Sequence, residues 1–228
     1  MSNLHRWLSY LTELHVETAD SELSPHLYVS IRNGRYQLST HNAVYSYADK
    51  YDNFRRSFEQ MDLDALPGER VLLLGFGLGS IPFMLERRFE KIYDYTGVEL
   101  DPAVIYLASK YTLPDLESRI ELVQADAALF LEMREETYDL ICMDVFLDQK
   151  VPRNMETREF LQLLHDRLNP GGTLLYNRIA VKPSDQAKNR QVLGRMRRVF
   201  PVADYFDVKT NWVLRGVRSH EKHDHKTS

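Results

Sequence analysis

The chain predicts an α/β fold: a mostly parallel sheet covered by helices, with one antiparallel edge strand and a small N-terminal β-hairpin element ahead of it. Three observations carry this. From Val71 onward, short apolar runs alternate with longer helix-like stretches, and the runs are continuous, as in strands buried on both faces. The first run, Val71 to Leu74, stops at Gly75, and Gly77 and Gly79 follow at alternate positions, a strand feeding a helix through a glycine turn. Upstream, Leu27, Val29 and Ile31 alternate with polar residues and lead into Asn33-Gly34, a type I′ hairpin signal.

The elements follow in order. Leu4, Trp7, Leu8, Leu11 and Leu14 recur at helical spacing and predict an amphipathic helix over 3–14. A polar stretch runs to Ser24-Pro25, and residues 25–48 then form the small antiparallel element, with Arg35 to His41 as the partner strand. Residues 50–61 are expected to be helical, with Tyr51, Phe54, Phe58 and Met61 on one side. Strands are expected at 71–75, 92–99, 119–124, 138–144 and 173–178, with a terminal pair near 202–208 and 211–215. Helices fall between them, at about 80–89, 102–111, 126–134, 157–168 and 185–199. Ser80, Asp101 and Thr157 are suited to N-caps, Pro82 and Pro102 to first turns, and Asn169-Pro-Gly-Gly172 to a helix end. Only Lys209 and Thr210 separate the last two strands, which permits a hairpin and hence the antiparallel strand. The division expected is 1–62 for the N-terminal element, 63–218 for the main domain and 219–228 for a disordered polar tail.

Composition narrows the function. A chain of 228 residues, 43% hydrophobic and 27% charged, with formal charge −4, resembles an ordinary soluble domain and gives no support for nucleic-acid or anionic-membrane binding. The single cysteine, Cys142, excludes an intrachain disulfide and fits a reducing compartment. No apolar segment approaches the roughly 18 residues of a membrane span, and the first residues lack a signal-peptide hydrophobic region, so a cytoplasmic location is expected. No Cys/His cluster has zinc spacing and no metal is expected; His220, His223 and His225 belong to a solvated tail.

The chemistry gathers at predicted strand ends. Gly75, Gly77 and Gly79 fail the G-x-G-x-x-G dinucleotide pattern, since Ser80 stands where its third glycine would be. Glu99 ends the next strand, 20 residues beyond Gly79, where a carboxylate can accept two hydroxyl hydrogen bonds from a ribose. Asp126 follows the third strand and suits either an adenine amino group or the cap of the next helix. Asp144 ends the fourth strand and suits either holding a substrate ammonium and taking a proton as nitrogen attacks carbon beside a sulfonium, or a structural role in bonding loop N–H groups. Asp148 is a second acid on the same loop. Tyr45, Tyr47 and Tyr51 suit packing between the hairpin and its neighbour, with Tyr51 also a substrate-site candidate. Arg195, Arg197 and Arg198 near a helix end complement its dipole and need no nucleic-acid partner.

Together, Gly75-Phe-Gly-Leu-Gly79, Val98-Glu99-Leu-Asp101, Gln124-Ala-Asp126, Asp144-Val-Phe146, Val151-Pro152, Thr157-Arg-Glu159-Phe160 and Asn169 to Asn177 resemble the spermidine synthase family of polyamine aminopropyltransferases. The resemblance implies a Rossmann-like class I methyltransferase sheet and an S-adenosylmethionine or decarboxylated S-adenosylmethionine ligand, leaving methylthioadenosine or S-adenosylhomocysteine. It further implies Glu99 on the ribose, Asp126 at the adenine, Asp144 facing a small amine acceptor, and a homodimer. Several positions depart from that family. Leu78 stands where an acid meets the donor's amine; Leu147 stands three after Asp144, with Asp148 displaced by one; Tyr51-Asp52-Asn53 replaces Tyr-His-Glu. Asn42 stands in place of a glutamine, and Lys209-Thr-Asn-Trp212 in place of Tyr-Pro-Ser-Gly. The alternatives are therefore a small-molecule methyltransferase on the same fold, and a non-catalytic relative that binds an adenosyl ligand.

Overall fold

A computed structural model describes residues 7–40, 44–146 and 150–220. Two sheets organise them. The first is antiparallel, β1 (Leu14–Ala19), β2 (Leu27–Arg32), β3 (Arg35–Ser39) and β4 (Val44–Ser46), in that spatial order. Asn33 and Gly34 both take positive φ, 50° and 70°, as the β2–β3 turn requires.

A short helix, α1 (Asp52–Phe58), leads to the second sheet. Its elements in chain order are β5 (Arg70–Leu74), α2 (Ser80–Phe89), β6 (Asp94–Glu99), α3 (Pro102–Tyr111), β7 (Arg119–Gln124), α4 (Ala127–Met133), β8 (Tyr138–Met143), α5 (Arg158–Asp166), β9 (Leu168–Ile179), α6 (Pro183–Met196), β10 (Val202–Asp207) and β11 (Asn211–Val217). The spatial order is β10-β11-β9-β8-β5-β6-β7, and the strands from β9 to β7 are parallel. β11 runs antiparallel to both neighbours, so the reversed strand lies one in from the edge that β10 forms.

Successive side chains on the central strands point to opposite faces, which divides the core in two. Leu72 and Leu74 of β5, with Ile141 and Met143 of β8, pack under α4, α5 and α6. Val71, Leu73, Leu140 and Cys142 face α1, α2 and α3, and the same cluster takes in Leu27, Val29 and Leu38 of the small sheet. Each such fully buried side chain contributes about 1.5–3 kcal/mol. The two sheets are thus joined through shared apolar packing.

Several sequence expectations are corrected. The helix expected over 3–14 ends by Leu8, turns follow, and Leu14 opens β1; residues before Trp7 lie outside the described part. Trp7 and Leu11 are 63% and 73% exposed, so the helical stripe buries little of itself here. The helix expected over 50–61 shortens to α1, with Tyr51 just ahead of it. Ser80 is not an N-cap. Gly79, left-handed at φ 80°, holds that position, and the Ser80 hydroxyl instead contacts Ser46 Oγ at 2.5 Å and accepts from Tyr47 N at 2.9 Å. Asp101 and Thr157 do cap, their side chains accepting from Ala103 N and Phe160 N. The tail from residue 221 and Asn42 lie outside the described residues.

Candidate functional site

The site grows from the turn after β5. Gly75, Gly77 and Gly79 have φ of 82°, 55° and 80°, a region that side-chain-bearing residues enter only with strain. At Gly75 space matters as well: a Cβ there would stand 2.5 Å from the Asp144 carbonyl oxygen. Asp144 N donates to Leu74 O at 2.7 Å, so the ends of β5 and β8 are drawn together. Gly77 opens toward Ser46 of the small sheet, the nearest atom to its missing Cβ at 3.4 Å.

Above this turn lies a cavity of about 500 Å³. Gly75, Gly77, Glu99, Asp126, Asp144 and Tyr51 all line it, so the structure brings together most of the residues that the sequence nominated. Gly79 does not line it and serves the turn itself. Asp148 lies outside the described residues.

Glu99 is held by backbone. Its Oε1 accepts from Leu100 N at 2.9 Å and Asp101 N at 3.1 Å, and Oε2 accepts from Gly77 N at 3.1 Å. Burial raises its pKa, and those three N–H groups oppose the rise. Asp126 caps α4, with Oδ1 accepting from Ala128 N at 2.9 Å and Leu129 N at 3.1 Å.

Asp144 is the most perturbed acid. Burial lifts its pKa from 3.8 to about 6, against the stabilising hydrogen bonds from Asn177 and Tyr51, while the Glu99 charge adds to the rise. Asn177 Nδ2 donates to Oδ1 at 2.8 Å and Tyr51 OH donates to the same oxygen at 3.1 Å. Burial, reinforced by the nearby Asp144 charge, holds the Tyr51 phenol well above its ordinary pKa, so it stays a neutral donor. Among the described residues Oδ2 has no hydrogen-bond partner.

Three residues of this network, Asn177, Asn211 and Thr210, had no role assigned from sequence. Asn211 Nδ2 donates to Asn177 Oδ1 at 2.9 Å, which fixes the Asn177 amide so that its nitrogen meets Asp144. Thr210 Oγ1 in turn donates to Asn211 Oδ1 at 3.0 Å. The available signal was Asn177 itself, a polar residue at the end of an apolar run, which the structure buries to 1% exposure.

The tyrosines divide. Tyr45 and Tyr51 line the cavity, whereas Tyr47 sits at the hairpin, accepting from Asn33 Nδ2 and donating to Arg32 O. Leu78 is 3% exposed and packed in the core shared with the small sheet, away from the cavity. Trp212 is core, stacked on Tyr205 with ring centroids 4.1 Å apart.

A glycine turn after the first strand of a parallel sheet, with acids at the ends of the flanking strands around one cavity, defines the class I methyltransferase fold. The methyltransferase domain family matches residues 71–172. Within that class the chain is similar to polyamine aminopropyltransferases and spermidine synthases. It is 29% identical over 130 residues to a probable polyamine aminopropyl transferase of Bifidobacterium longum, covering 57% of this chain and 28% of that one. It is 28% identical over 132 residues to a polyamine aminopropyltransferase of Vibrio vulnificus, covering 55% and 44%. The chain thus spans less than half the length of these curated relatives. A probable spermidine synthase from Corynebacterium glutamicum shares the fold with TM-score 0.69 at 20% identity, over 89% of this chain and 80% of that one. Among the described residues no helix is long and apolar enough to cross a membrane.

Proposed function

We propose that the chain is a transferase that moves a group from an adenosyl sulfonium donor to a small acceptor bearing an amine. The observation that supports this most is that Glu99 and Asp144, on the strands either side of β5, line one cavity above Gly75 and Gly77. About 500 Å³ is room for a nucleoside with an acceptor beside it. The residues fit such a group. Glu99 Oε2 takes a single backbone bond and keeps lone pairs for ribose hydroxyls, and Asp126 Oδ2 is free of partners among the described residues to accept from an adenine amino group.

When bound, the sulfonium supplies a carbon activated toward displacement. Asp144 Oδ2 faces it across the cavity as the group that binds the acceptor's ammonium and takes its proton. With a pKa of about 6, Asp144 is mostly ionised at neutral pH and is a base at hand. Asn177 and Tyr51 pin Oδ1, which leaves Oδ2 as the working oxygen. As nitrogen bonds to carbon the carbon–sulfur bond breaks, and most of the rate advantage comes from alignment of the two reactants.

The donor is S-adenosylmethionine or its decarboxylated form. Methyl transfer is the second reading: no acid stands in the glycine turn to meet the ammonium of the decarboxylated donor, and the Leu78 side chain there is turned into the core. Calorimetry with both donors and methylthioadenosine tests the site; binding weaker than millimolar by all three refutes it. The mass added to a panel of amines then separates aminopropyl from methyl transfer. The same likeness supports a cytoplasmic homodimer, and light scattering that gives only the 26.7 kDa species would refute the dimer.

A further inference from the structure

A second concavity, about 810 Å³, adjoins the first and shares Phe146 and Ile179 with it. Residues 151–156 form the partition: Pro152 and Met155 face the adenosyl cavity, whereas Val151, Arg153 and Glu156 face the groove. Its walls are strongly cationic. Lys150, Arg153, Arg158, Lys188, Arg195 and Arg198 line it, on a chain whose formal charge is −4. Among the described residues none of these six makes an ion pair, and Arg195 spends one N–H on the Glu156 carbonyl at 3.1 Å.

The floor is a fixed cation. Arg178 is 5% exposed, with Nε donating to Asn189 Oδ1 at 2.7 Å, Nη1 to Tyr176 OH at 2.9 Å, and Nη2 paired with Glu156. Of the three acids in the groove, Glu156 is engaged by Arg178 and Asp185 caps α6 by accepting from Lys182 N. Only Glu159 stands exposed and unpaired among the described residues. Arg195 and Arg198, read from the sequence as complements to a helix dipole, therefore face an open groove shared with five other cations.

We infer that this groove binds the phosphate- or carboxylate-bearing end of a small polyanionic acceptor whose amine reaches Asp144 past Phe146 and Ile179. The acceptor role rests on the transfer reading above; the anion specificity rests on the groove alone. Guanidinium and ammonium groups that are unpaired among the described residues, gathered around one groove, suit a compact polyanion with several phosphate or carboxylate oxygens. The overall negative charge of the chain speaks against a nucleic-acid track.

The test is calorimetric titration of the full chain with inorganic pyrophosphate, with citrate, with a single-stranded RNA oligonucleotide and with methylthioadenosine. It is repeated on Arg153→Gln/Lys188→Gln, two exposed lining positions, one in the loop after β8 and one on α6. Submillimolar binding of pyrophosphate or citrate, weakened roughly tenfold in the variant while methylthioadenosine affinity is unchanged, supports the inference. The tighter of the two anions tells phosphate from carboxylate. Absence of binding by both, or equal affinity in wild type and variant, overturns it. So does RNA binding a hundredfold tighter through the same two side chains. Pyrophosphate binding without methylthioadenosine binding overturns the acceptor role and the transfer reading, and supports the anion site.

Discussion

Replacing Asp144 with Asn should abolish transfer and, at neutral pH, stabilise the protein. The magnitude follows from the shift of its pKa from 3.8 to about 6. Each unit is worth about 1.4 kcal/mol, so the buried charge destabilises the folded state by up to about 3 kcal/mol. Because the folded pKa lies above the unfolded one, the folded chain holds a proton that the unfolded chain has released between pH 3.8 and about 6. Stability therefore falls as pH rises through that window, and above it the loss is complete. Asn keeps an oxygen for Asn177 and Tyr51 and carries no charge, so it removes the fall. The expected gain is about 1–3 kcal/mol at pH 8, or about 2–4 °C in Tm per kcal/mol for a chain of this size. At pH 4 the gain should shrink toward nothing. Urea or thermal unfolding across pH 4 to 8 reads this directly. A variant less stable at pH 8, or a difference that does not change with pH, would refute the placement of Asp144 as a desolvated acid.

Three further outcomes are expected. Glu99→Gln should weaken methylthioadenosine binding by about 1.5–3 kcal/mol, since a ribose hydroxyl then meets a neutral acceptor; calorimetry measures it, and unchanged affinity counts against the ribose assignment. Asn177→Ala removes a donor to the ionised form of Asp144, so the acid limb of the rate profile, expected near pH 6, should move upward by about one unit. An unmoved limb would mean that Asp144 does not control it. Leu78→Asp, which restores an acid in the glycine turn, should cost about 2–4 kcal/mol of stability by chemical denaturation and give no preference for the decarboxylated donor, because position 78 faces the core.

What the sequence reveals and what it hides differ in physical kind. The central strands are legible because they are buried on both faces and read as unbroken apolar runs; the glycine turn is legible because positive φ selects glycine. β1 is hidden by its place at the edge of the small sheet: Leu14-His-Val-Glu-Thr-Ala is half-buried at most, and a register shift between His15 and Glu17 breaks its alternation. The Asn177–Asn211 pair is hidden for another reason. The two lie in different strands, and only the antiparallel register of β9 with β11, which sets Val213 opposite Asn177, brings the amides together. The cationic groove is hidden likewise, because its charges come from the loop after β8, the start of α5 and α6, each unremarkable alone. Leu78 shows most plainly why fold and reaction separate. One position in the glycine turn is used to join the two sheets, through the same cluster as Leu27, Val29 and Leu38. The cavity proposed for the adenosyl donor does not depend on that side chain, because it is lined by Gly75, Gly77, Glu99, Asp126 and Asp144. Selectivity between donors is not served by it, since that would need a charge where this chain has placed core. On the proposed reading, the choice of substrate lies elsewhere around the cavity, and the cations beyond Phe146, unpaired among the described residues, are where the charge is found.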